Sequence, residues 1–224
     1  MRKVIICNAV GEQAESELAL SLPTFEAYGA KYDYQVFTGC ESPADLSPHW
    51  GKIPLLQSAV QEYDLVLWLD TDAMILDFSE DIADQIETDC FQALLMEQEG
   101  SRWNANTGVW LLKGGQQSLD FLNEVWELGP VEDPFSWHDQ AAVIKALGWS
   151  WSGSPKVCKI TNPSPYLAAT SWLKPEWNRI PLLYPQIKAR IQHWAGGPDN
   201  RQKRIEEMGQ ILEVMRGSGM LGGA

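Results

Sequence analysis

The hydrophobic pattern of the first forty residues predicts a strand, a helix and a second strand. Residues 4–10 form a short apolar run rich in β-branched side chains, and the apolar positions of residues 15–28 recur at helical spacing. Gly29 is a helix-stop signal, and residues 33–38 have the pattern of the next strand. A strand–helix–strand unit of this length favours a right-handed crossover between parallel strands.

Residues 64–69 are the most strand-like run of the chain. They are nearly all apolar, as expected of a strand buried on both faces of a sheet, and they end abruptly at Asp70-Thr71-Asp72. Further strands are predicted at residues 91–96, 106–113 and 187–193, and helices at residues 50–62, 79–86, 117–128, 138–147 and 201–215. Residues 149–185 are rich in Pro, Trp and Ser, and we expect loops there.

These elements predict an α/β fold, with a central, mainly parallel sheet flanked by helices in a single Rossmann-like domain. Strands and helices alternate clearly in the first half and less regularly in the second. Residues 201–224 are expected to form a surface helix followed by a frayed, Gly-rich tail.

Composition and charge narrow the classes of function. The 224 residues, 45% of them hydrophobic, suffice for one domain with a real core. The net charge of -13 argues against nucleic acid, which needs a basic surface, and against an anionic membrane. None of the four cysteines lies in a CxxC pair, so no structural zinc site is expected. No apolar run is long enough for a signal peptide or a transmembrane segment, and we expect a soluble, cytoplasmic protein.

The pair Asp70 and Asp72 is the strongest chemical signal. In open parallel sheets, ligands bind beyond the carboxyl ends of the strands, and this pair directly follows the most strand-like run. Two acids so close repel each other unless a cation lies beside them, and their hard oxygen atoms suit Mg²⁺ or Mn²⁺. Such a cation can bridge two phosphates. The alternative is a solvated turn, where Asp is common.

A second polar cluster opens the strand predicted at residues 106–113. Asn104 and Asn106 offer donors and acceptors that suit sugar hydroxyls, and Thr107 lies next to them. Gly108 would let the backbone approach a ligand closely. The alternative is an ordinary β-turn at the start of the strand.

Three other places could contribute to the same site. Asp139, with Gln140 beside it, could face a ligand or cap the predicted helix. His193 could give a metal a nitrogen ligand, which favours manganese, or could be an ordinary strand-end histidine. Lys52 could reach a phosphate or one of the acids, or could be exposed.

The 11 tryptophans have two interpretations. Trp68 and Trp110 lie within predicted strands and are expected in the core. The others could line an acceptor cleft, because aromatic faces stack on sugar rings, or could pack loops onto the sheet. The candidates are Trp50, Trp103, Trp137, Trp151, Trp172 and Trp177.

In their order along the chain, these motifs resemble the GT-A fold glycosyltransferases, especially the retaining α-galactosyl and α-mannosyl transferases and the glycogenin-like enzymes. The matching stretches are Lys52, residues 63–72, residues 106–113, Asp139-Gln140 and His193-Trp194-Ala195-Gly196. They fall within residues 1–200, the predicted transferase domain. The resemblance implies a nucleotide-binding half at residues 1–100 and an acceptor-binding half at residues 101–200.

The resemblance also implies roles for single residues. Asp70 and Asp72 would bind a divalent ion and the ribose and diphosphate of the nucleotide, with His193 as the third metal ligand. The remaining candidates would contact the base (Asn8 and Ala9), the donor (Lys52), and the donor sugar and reaction centre (Asn106, Asp139 and Gln140). The cofactor would be Mn²⁺ or Mg²⁺. The donor would be a UDP-sugar, or a GDP-sugar as in the mannosyl branch.

Two departures from the family pattern qualify this picture. Glycogenin-like enzymes have a lysine that contacts the diphosphate in a His-x-x-Gly-x-x-Lys motif, and Asp199 takes its place here. Arg201 or Lys203 could substitute for it. Eukaryotic members carry a membrane anchor and a stem, and this chain shows neither, which favours a soluble bacterial or viral enzyme.

The predicted reaction is transfer of a hexose from a nucleotide diphosphate sugar to a glycan or another hydroxyl acceptor, with retention of configuration. Inversion would need a carboxylate base, for which Asp139 is the candidate. A phosphatase with an Asp-x-Asp motif is an alternative, although Met74 stands where such enzymes place Thr or Val. The other alternative is a nucleotide-sugar-binding or glycan-binding protein without turnover.

Overall fold

The computed structural model describes residues 1–40, 42–99, 102–133, 135–153, 156–196 and 201–221. The strands are β1 (Lys3–Asn8), β2 (Tyr34–Gly39), β3 (Leu65–Leu69), β4 (Ala73–Ile75), β5 (Gln92–Glu99), β6 (Arg102–Lys113), β7 (Trp149–Gly153), β8 (Lys156–Ile160), β9 (Thr170–Trp172) and β10 (Ile191–His193). The helices are α1 (Glu12–Tyr32), α2 (Lys52–Glu62), α3 (Gln116–Leu128), α4 (Asp139–Ala146), α5 (Pro165–Ala168) and α6 (Arg201–Gly217). Short 3₁₀ helices lie at Pro48–Gly51, Ile82–Gln85 and Pro175–Asn178.

An eight-stranded sheet forms the centre of the fold. Its main order is β2-β1-β3-β6-β5-β9, and β8 joins β6 and carries β7. β1 is parallel to β2 and β3, β9 is parallel to β5, and β6 is antiparallel to β3 and β5. Five of the six strands in the main order therefore point the same way. The predicted α/β fold with a mainly parallel sheet is confirmed.

Alternating side chains of the central strands pack into two hydrophobic layers, as the two-residue period of a strand requires. Val4 and Ile6 of β1 pack with α2, α3 and α4 on one face. Ile5 and Cys7 pack on the other face with Phe25 of α1. All five residues of β3 are buried, which explains its unbroken apolar run. The sheet is therefore covered by helices on both sides.

The end of α1 differs from the prediction. Gly29 lies inside the helix, which continues to Tyr32 and ends at Asp33 in a left-handed conformation with φ 60°. A Cβ at Gly29 would come within 2.8 Å of the carbonyl oxygen of Tyr34. This glycine therefore allows the helix to pack closely against β2, and the predicted helix stop is wrong.

The second half contains more regular structure than its sequence predicts. β7, β8, α5 and β9 lie within residues 149–185, where loops were expected. The helix predicted at residues 79–86 is only the 3₁₀ helix Ile82–Gln85. α6, expected on the surface, has one buried face with Arg204, Met208, Leu212 and Met215, and it packs against α1.

The predicted last strand is reduced to β10, which pairs antiparallel with β4 so that His193 lies opposite Ala73. Because β4 begins directly after Asp72, this small second sheet carries His193 to the end of β3. Within the described parts of the chain, no helix has the length and apolar character needed to cross a membrane.

Candidate active site

Asp70 and Asp72 project from a tight turn at the carboxyl end of β3. The backbone N–H of Asp70 donates to the carbonyl oxygen of Gly108 at 2.8 Å, and Ala73 N–H donates to Asp70 O at 3.0 Å. Trp194 N–H donates to Asp72 O at 2.9 Å. The turn is thus fixed from both sides, by β6 and by the segment after β10.

His193 completes a cluster of three potential metal ligands. Its Nε2 lies 3.4 Å from Asp72 Oδ1 and 3.9 Å from Asp70 Oδ2. One ligand atom from each of these three residues lies within 4.8 Å of the others. Two carboxylate oxygens and one imidazole nitrogen form a donor set that suits a divalent transition metal such as Mn²⁺. The residues present therefore fit the predicted ion.

Gly108 makes room for this histidine. A Cβ at Gly108 would overlap the imidazole ring of His193. The sequence led us to expect that Gly108 brings its backbone close to a ligand. In the structure the space beside it holds the ring of His193, and only 3% of this residue is exposed.

Lys52 is buried and joins two acids. Its Nζ lies 3.1 Å from Asp70 Oδ1 and 3.1 Å from Asp139 Oδ2, and it donates to the carbonyl and hydroxyl oxygens of Thr107 at 3.3 Å. Burial lowers the pKa of Lys52, but the carboxylates of Asp139 and Asp70 outweigh it and the pKa lies above its usual value. The alternative of an exposed lysine is wrong.

Asp70 presents its two oxygens to different groups. Oδ1 accepts from the indole Nε1 of Trp68 at 2.6 Å and faces Lys52, whereas Oδ2 faces His193. Trp68 is in the core, as predicted, and its indole N–H also orients the carboxylate. One oxygen of Asp70 thus remains directed at the proposed metal position.

Asp72 is held from the opposite end of the chain by Arg204, which the sequence analysis missed. The guanidinium Nη1 of Arg204 donates to Asp72 Oδ2 at 2.8 Å and to Trp194 O at 3.0 Å. Its Nη2 donates to Glu17 of α1. The other oxygen of Glu17 accepts from the hydroxyl of Thr71 at 2.8 Å. A buried ion-pair network therefore ties α1, α6 and the Asp-Thr-Asp turn together.

These charges shift the pKa values of the cluster. Burial raises the pKa of Asp72, but His193 and then Arg204 outweigh it, and the pKa lies below its usual value. Burial lowers the pKa of His193, but the carboxylates of Asp72 and Asp70 outweigh it, and the pKa lies above its usual value. Both shifts favour the charged pair when no metal is bound.

A cleft of about 750 Å³ opens over this cluster. Its lining includes the predicted residues Asn8, Lys52, Asp70, Asp72, Asn106, Asp139, Gln140 and His193. Ala9 is buried, and its N–H donates to Gly39 O at 3.0 Å, while its neighbours Asn8 and Val10 line the cleft. The structure thus brings together residues that are up to 185 positions apart, from Asn8 to His193.

The structure resembles solved glycosyltransferases over nearly its whole length. It matches a glycosyltransferase involved in the glycosylation of the major capsid of PBCV-1, with 18% identity and a TM-score of 0.68, over 92% of this chain and 99% of that one. The chain has the GT-A glycosyltransferase fold. The predicted resemblance to this family is thereby confirmed at the level of the fold.

Two other GT-A neighbours are more distant in sequence. The galactosyltransferase LgtC, solved with donor and acceptor sugar analogs, is 14% identical with a TM-score of 0.55, over 95% of this chain and 99% of that one. GlyE from Streptococcus pneumoniae TIGR4 is 12% identical with a TM-score of 0.59, over 98% of this chain and 64% of that one. No protein-family model matches the sequence, and no curated protein matches it.

In this GT-A domain, the polar cluster of β6 surrounds a carboxylate that the sequence analysis also missed. Glu97 of β5 accepts from Asn104 Nδ2 at 2.8 Å and from Asn106 Nδ2 at 2.6 Å. Gln140 Oε1 accepts from Thr107 N–H at 3.1 Å. Glu97 was missed because it stands in a strand whose sequence turns polar only at its end.

Asp139 does not cap α4. The residue at the N-cap is His138, which makes no capping bond and has a φ of 53°. Asp139 lies in the first turn with its carboxylate on Lys52. The His138 ring stacks on His49 at 4.4 Å between centroids, and both rings border the cleft.

The tryptophans divide between the two interpretations. Trp50 and Trp177 are buried, and Trp103 and Trp172 are partly exposed away from the cleft lining. Trp151 packs edge-on against Trp137, with ring centroids 6.3 Å apart, and does not line the cleft. Trp137, stacked on Phe135 with centroids 4.1 Å apart, lines the cleft. Among the described residues, Trp137 is therefore the one of the six candidates that lines the cleft. Gly197 and Asp199, which belong to the late motif, lie outside the described residues.

Proposed function

We propose that the protein transfers a hexose from a nucleotide diphosphate sugar, UDP-sugar in preference to GDP-sugar, to a hydroxyl of a glycan or a similar acceptor. The convergence of Asp70, Asp72 and His193 in the cleft carries this proposal. The solved neighbours support it, because they are glycosyltransferases with the same fold. Fold likeness alone does not assign a reaction, so the proposal rests on the chemistry of the cleft.

Asp70, Asp72 and His193 would hold a divalent ion, Mn²⁺ in preference to Mg²⁺, because imidazole suits the former better. A bound ion of this kind neutralises the diphosphate leaving group. The turn at Asp70–Asp72 and the β4–β10 pairing support this role, because they would hold the three side chains in place before a metal or a nucleotide binds. Such preorganisation is what electrostatic stabilisation of a leaving group requires.

The donor would lie between the end of β1 and the start of α4. Asn8 would lie near the base, and Lys52 would balance the negative charge around the diphosphate. Asn106, Asp139 and Gln140 would contact the donor sugar. The acceptor would enter along the side that includes Trp137, where an aromatic face can stack on a sugar ring.

We further propose that transfer retains the configuration of the donor. The acceptor oxygen would bond to the anomeric carbon on the face from which the phosphate oxygen departs. The departing phosphate oxygen would take the proton of the acceptor hydroxyl. Asp139 is the base candidate for inversion, but its carboxylate is buried and paired with Lys52. A carboxylate held against a buried ammonium group is poorly placed to take a proton from an acceptor hydroxyl, which favours retention.

The direct test incubates the protein with Mn²⁺ and a panel of UDP-hexoses and GDP-hexoses, and measures release of the free nucleotide and mass gain of an added acceptor. We expect release with one nucleotide class and loss of that release in Asp72→Asn. Asp120→Asn, an exposed acid on α3, is the matched control and should behave like wild type. NMR of the product would show the donor's anomeric configuration, and the opposite configuration would overturn retention.

Two results would favour the alternatives. Phosphate release from a simple phosphoester, with no dependence on a nucleotide sugar, would indicate a phosphatase. Tight nucleotide binding without transfer or hydrolysis would indicate a sugar-binding protein that has lost turnover.

A further inference from the structure

A chain of buried hydrogen bonds connects His193 with Glu97 through two amide side chains. His193 Nδ1 lies 2.9 Å from Asn178 Oδ1, and Asn178 Nδ2 donates to Asn106 Oδ1 at 2.8 Å. Asn106 Nδ2 then donates to Glu97 Oε1 at 2.6 Å. Asn178 was not singled out by its sequence, and it is fully buried.

The donor and acceptor roles in this series of hydrogen bonds are set by the backbone N–H of Gly108, which can only donate. The backbone N–H of Gly108 donates to Asn106 Oδ1 at 2.9 Å, and a backbone N–H cannot accept. This contact orients the Asn106 amide, with its oxygen towards Gly108 and Asn178. Its nitrogen is then left to donate to Glu97 Oε1.

The orientation of Asn106 determines the next two residues. Asn106 Oδ1 needs a donor from Asn178, so Asn178 presents Nδ2 to Asn106 and Oδ1 to His193. His193 Nδ1 must then carry the hydrogen. The lone pair available for a metal is on Nε2, the nitrogen that faces Asp72 Oδ1 and Asp70 Oδ2.

We propose that Asn178 is a positioning residue that keeps the hydrogen of His193 on Nδ1 and so leaves Nε2 free to bind the metal. The inference rests on the proposed function, because it assigns Asn178 to the metal site of that reaction. Metal-binding histidines commonly donate their other N–H to such a partner, which fixes the ring and its tautomer.

The opposing influence comes from the two aspartates. Without a metal, Asp70 and Asp72 lie beside Nε2 and favour a hydrogen there in addition to the one on Nδ1. A neutral ring with its one hydrogen on Nε2 would instead place the Nδ1 lone pair against Asn178 Oδ1, two acceptors in a buried contact. The backbone holds Asn178 in place, because Arg179 N–H donates to Ile191 O and His193 N–H donates to Arg179 O. The amide therefore resists the wrong tautomer.

The test is a double-mutant cycle on the affinity of the 224-residue chain for Mn²⁺, measured by EPR of the free ion without nucleotide. Asn178→Ala should weaken Mn²⁺ binding by roughly 10–100-fold, the usual effect of losing such a partner. In the His193→Ala background the same change should have no further effect, because Asn178 acts through His193. Equal losses in both backgrounds would overturn the inference.

Further variants separate positioning from folding. Asn178→Asp keeps an acceptor for Nδ1–H and should bind Mn²⁺ more tightly than Asn178→Ala. If Asn178→Ala does not fold, Asn178→Asp is compared with Asn178→Leu of similar volume, and equal affinities would contradict the inference. Asn123→Ala, which removes an exposed amide on α3, is the matched control and should leave Mn²⁺ affinity unchanged.

The outcomes for Asn178 and for the transfer reaction are distinguishable. Unaltered Mn²⁺ affinity in Asn178→Ala with normal sugar transfer would reject the positioning role alone. If the wild type binds Mn²⁺ and Asn178→Ala weakens binding only where His193 is present, but no sugar is transferred from any nucleotide sugar, the proposed function is rejected and the positioning role is kept. Absence of Mn²⁺ binding by the wild-type protein would overturn the inference.

Discussion

The two carboxylates of the Asp-Thr-Asp turn lie in different surroundings. Asp70 is held by Lys52 of α2 and by Trp68 two residues before it, and its side chain is 33% exposed. Asp72 is held by Arg204, 132 positions away in the sequence, and its side chain is 15% exposed. The same short motif thus has one member fixed by its own strand and neighbouring helix and another fixed by the C-terminal helix.

This difference indicates how the site depends on the rest of the molecule. Changes in α6 should disturb Asp72 and spare Asp70, because Arg204 is the direct link between α6 and the turn. Changes in β3 and α2 should disturb Asp70 and spare Asp72. Four substitutions test this contrast, in decreasing order of the change that we expect.

Arg204→Met should cause the largest loss of stability on the Asp72 side. It would leave Glu17 buried without its cationic partner, and breaking a buried ion pair in this way typically costs about 3–5 kcal/mol. Urea unfolding would measure the change. The double variant Glu17→Gln, Arg204→Met should lose less stability than Arg204→Met alone. Lys203→Met, on the exposed face of α6, should have almost the stability of the wild type. An Arg204→Met protein as stable as wild type would refute the buried link.

Trp68→Phe should have a smaller effect, confined to the Asp70 side. It removes the indole N–H donated to Asp70 Oδ1, and a hydrogen bond to a charged group contributes about 1.5–3 kcal/mol. Because Asp70 is partly exposed, water can replace part of this bond, and the loss should lie towards the lower end. Chemical unfolding would measure the total loss of unfolding free energy. The backbone amides of α6 should exchange hydrogen at the wild-type rate. Faster exchange in α6 would show that the two sides are not independent.

Gly108→Ala should disturb the metal ligand that both aspartates share. The new methyl group would occupy the space of the His193 ring. We expect Mn²⁺ affinity to fall by about 10–100-fold, similar to other losses of ligand orientation at metal sites. Spectroscopic titration with Mn²⁺ would test this, with His193→Ala for comparison. Wild-type affinity in Gly108→Ala would mean that the ring has another position from which to bind.

Gly209→Ala should have the smallest effect, and a favourable one. Gly209 lies inside α6, and a Cβ there would meet no other atom within 4 Å. Replacing a helix-interior glycine by alanine stabilises by roughly 0.5–1 kcal/mol. The unfolding free energy should rise by this amount, while Mn²⁺ affinity should not change. A lower stability would show that α6 needs this glycine for a contact not seen here.

The Asp70 side was largely predictable from the sequence, for a physical reason. A run as apolar as residues 64–69 has few options other than a buried strand, and polar residues directly after it must lie at the sheet edge. The cluster of Asp70, Asp72 and His193 followed from the resemblance to a family. The surroundings of Lys52 needed the structure, because only the packing of α2 against the sheet buries its ammonium group between two acids.

The Asp72 side carried a signal that was overlooked. Arg204, Met208, Leu212 and Met215 recur at helical spacing, which places the arginine on the buried face of α6. Glu17 stands in the same relation to the buried positions of α1. A charge on each of two apolar faces would have predicted an ion pair between them. Asn178 had no comparable signal, because its place depends on the backbone hydrogen bonds between Arg179 and β10.

The most direct test of the account is a calorimetric titration of the protein with UDP and with GDP, each with and without Mn²⁺, repeated for Asp72→Ala. We expect that one nucleotide binds, that Mn²⁺ strengthens its binding, and that Asp72→Ala abolishes this metal dependence while Asp120→Ala keeps it. A folded wild-type protein that binds neither nucleotide, or binds one equally well without metal and after Asp72→Ala, would contradict the proposed transferase site.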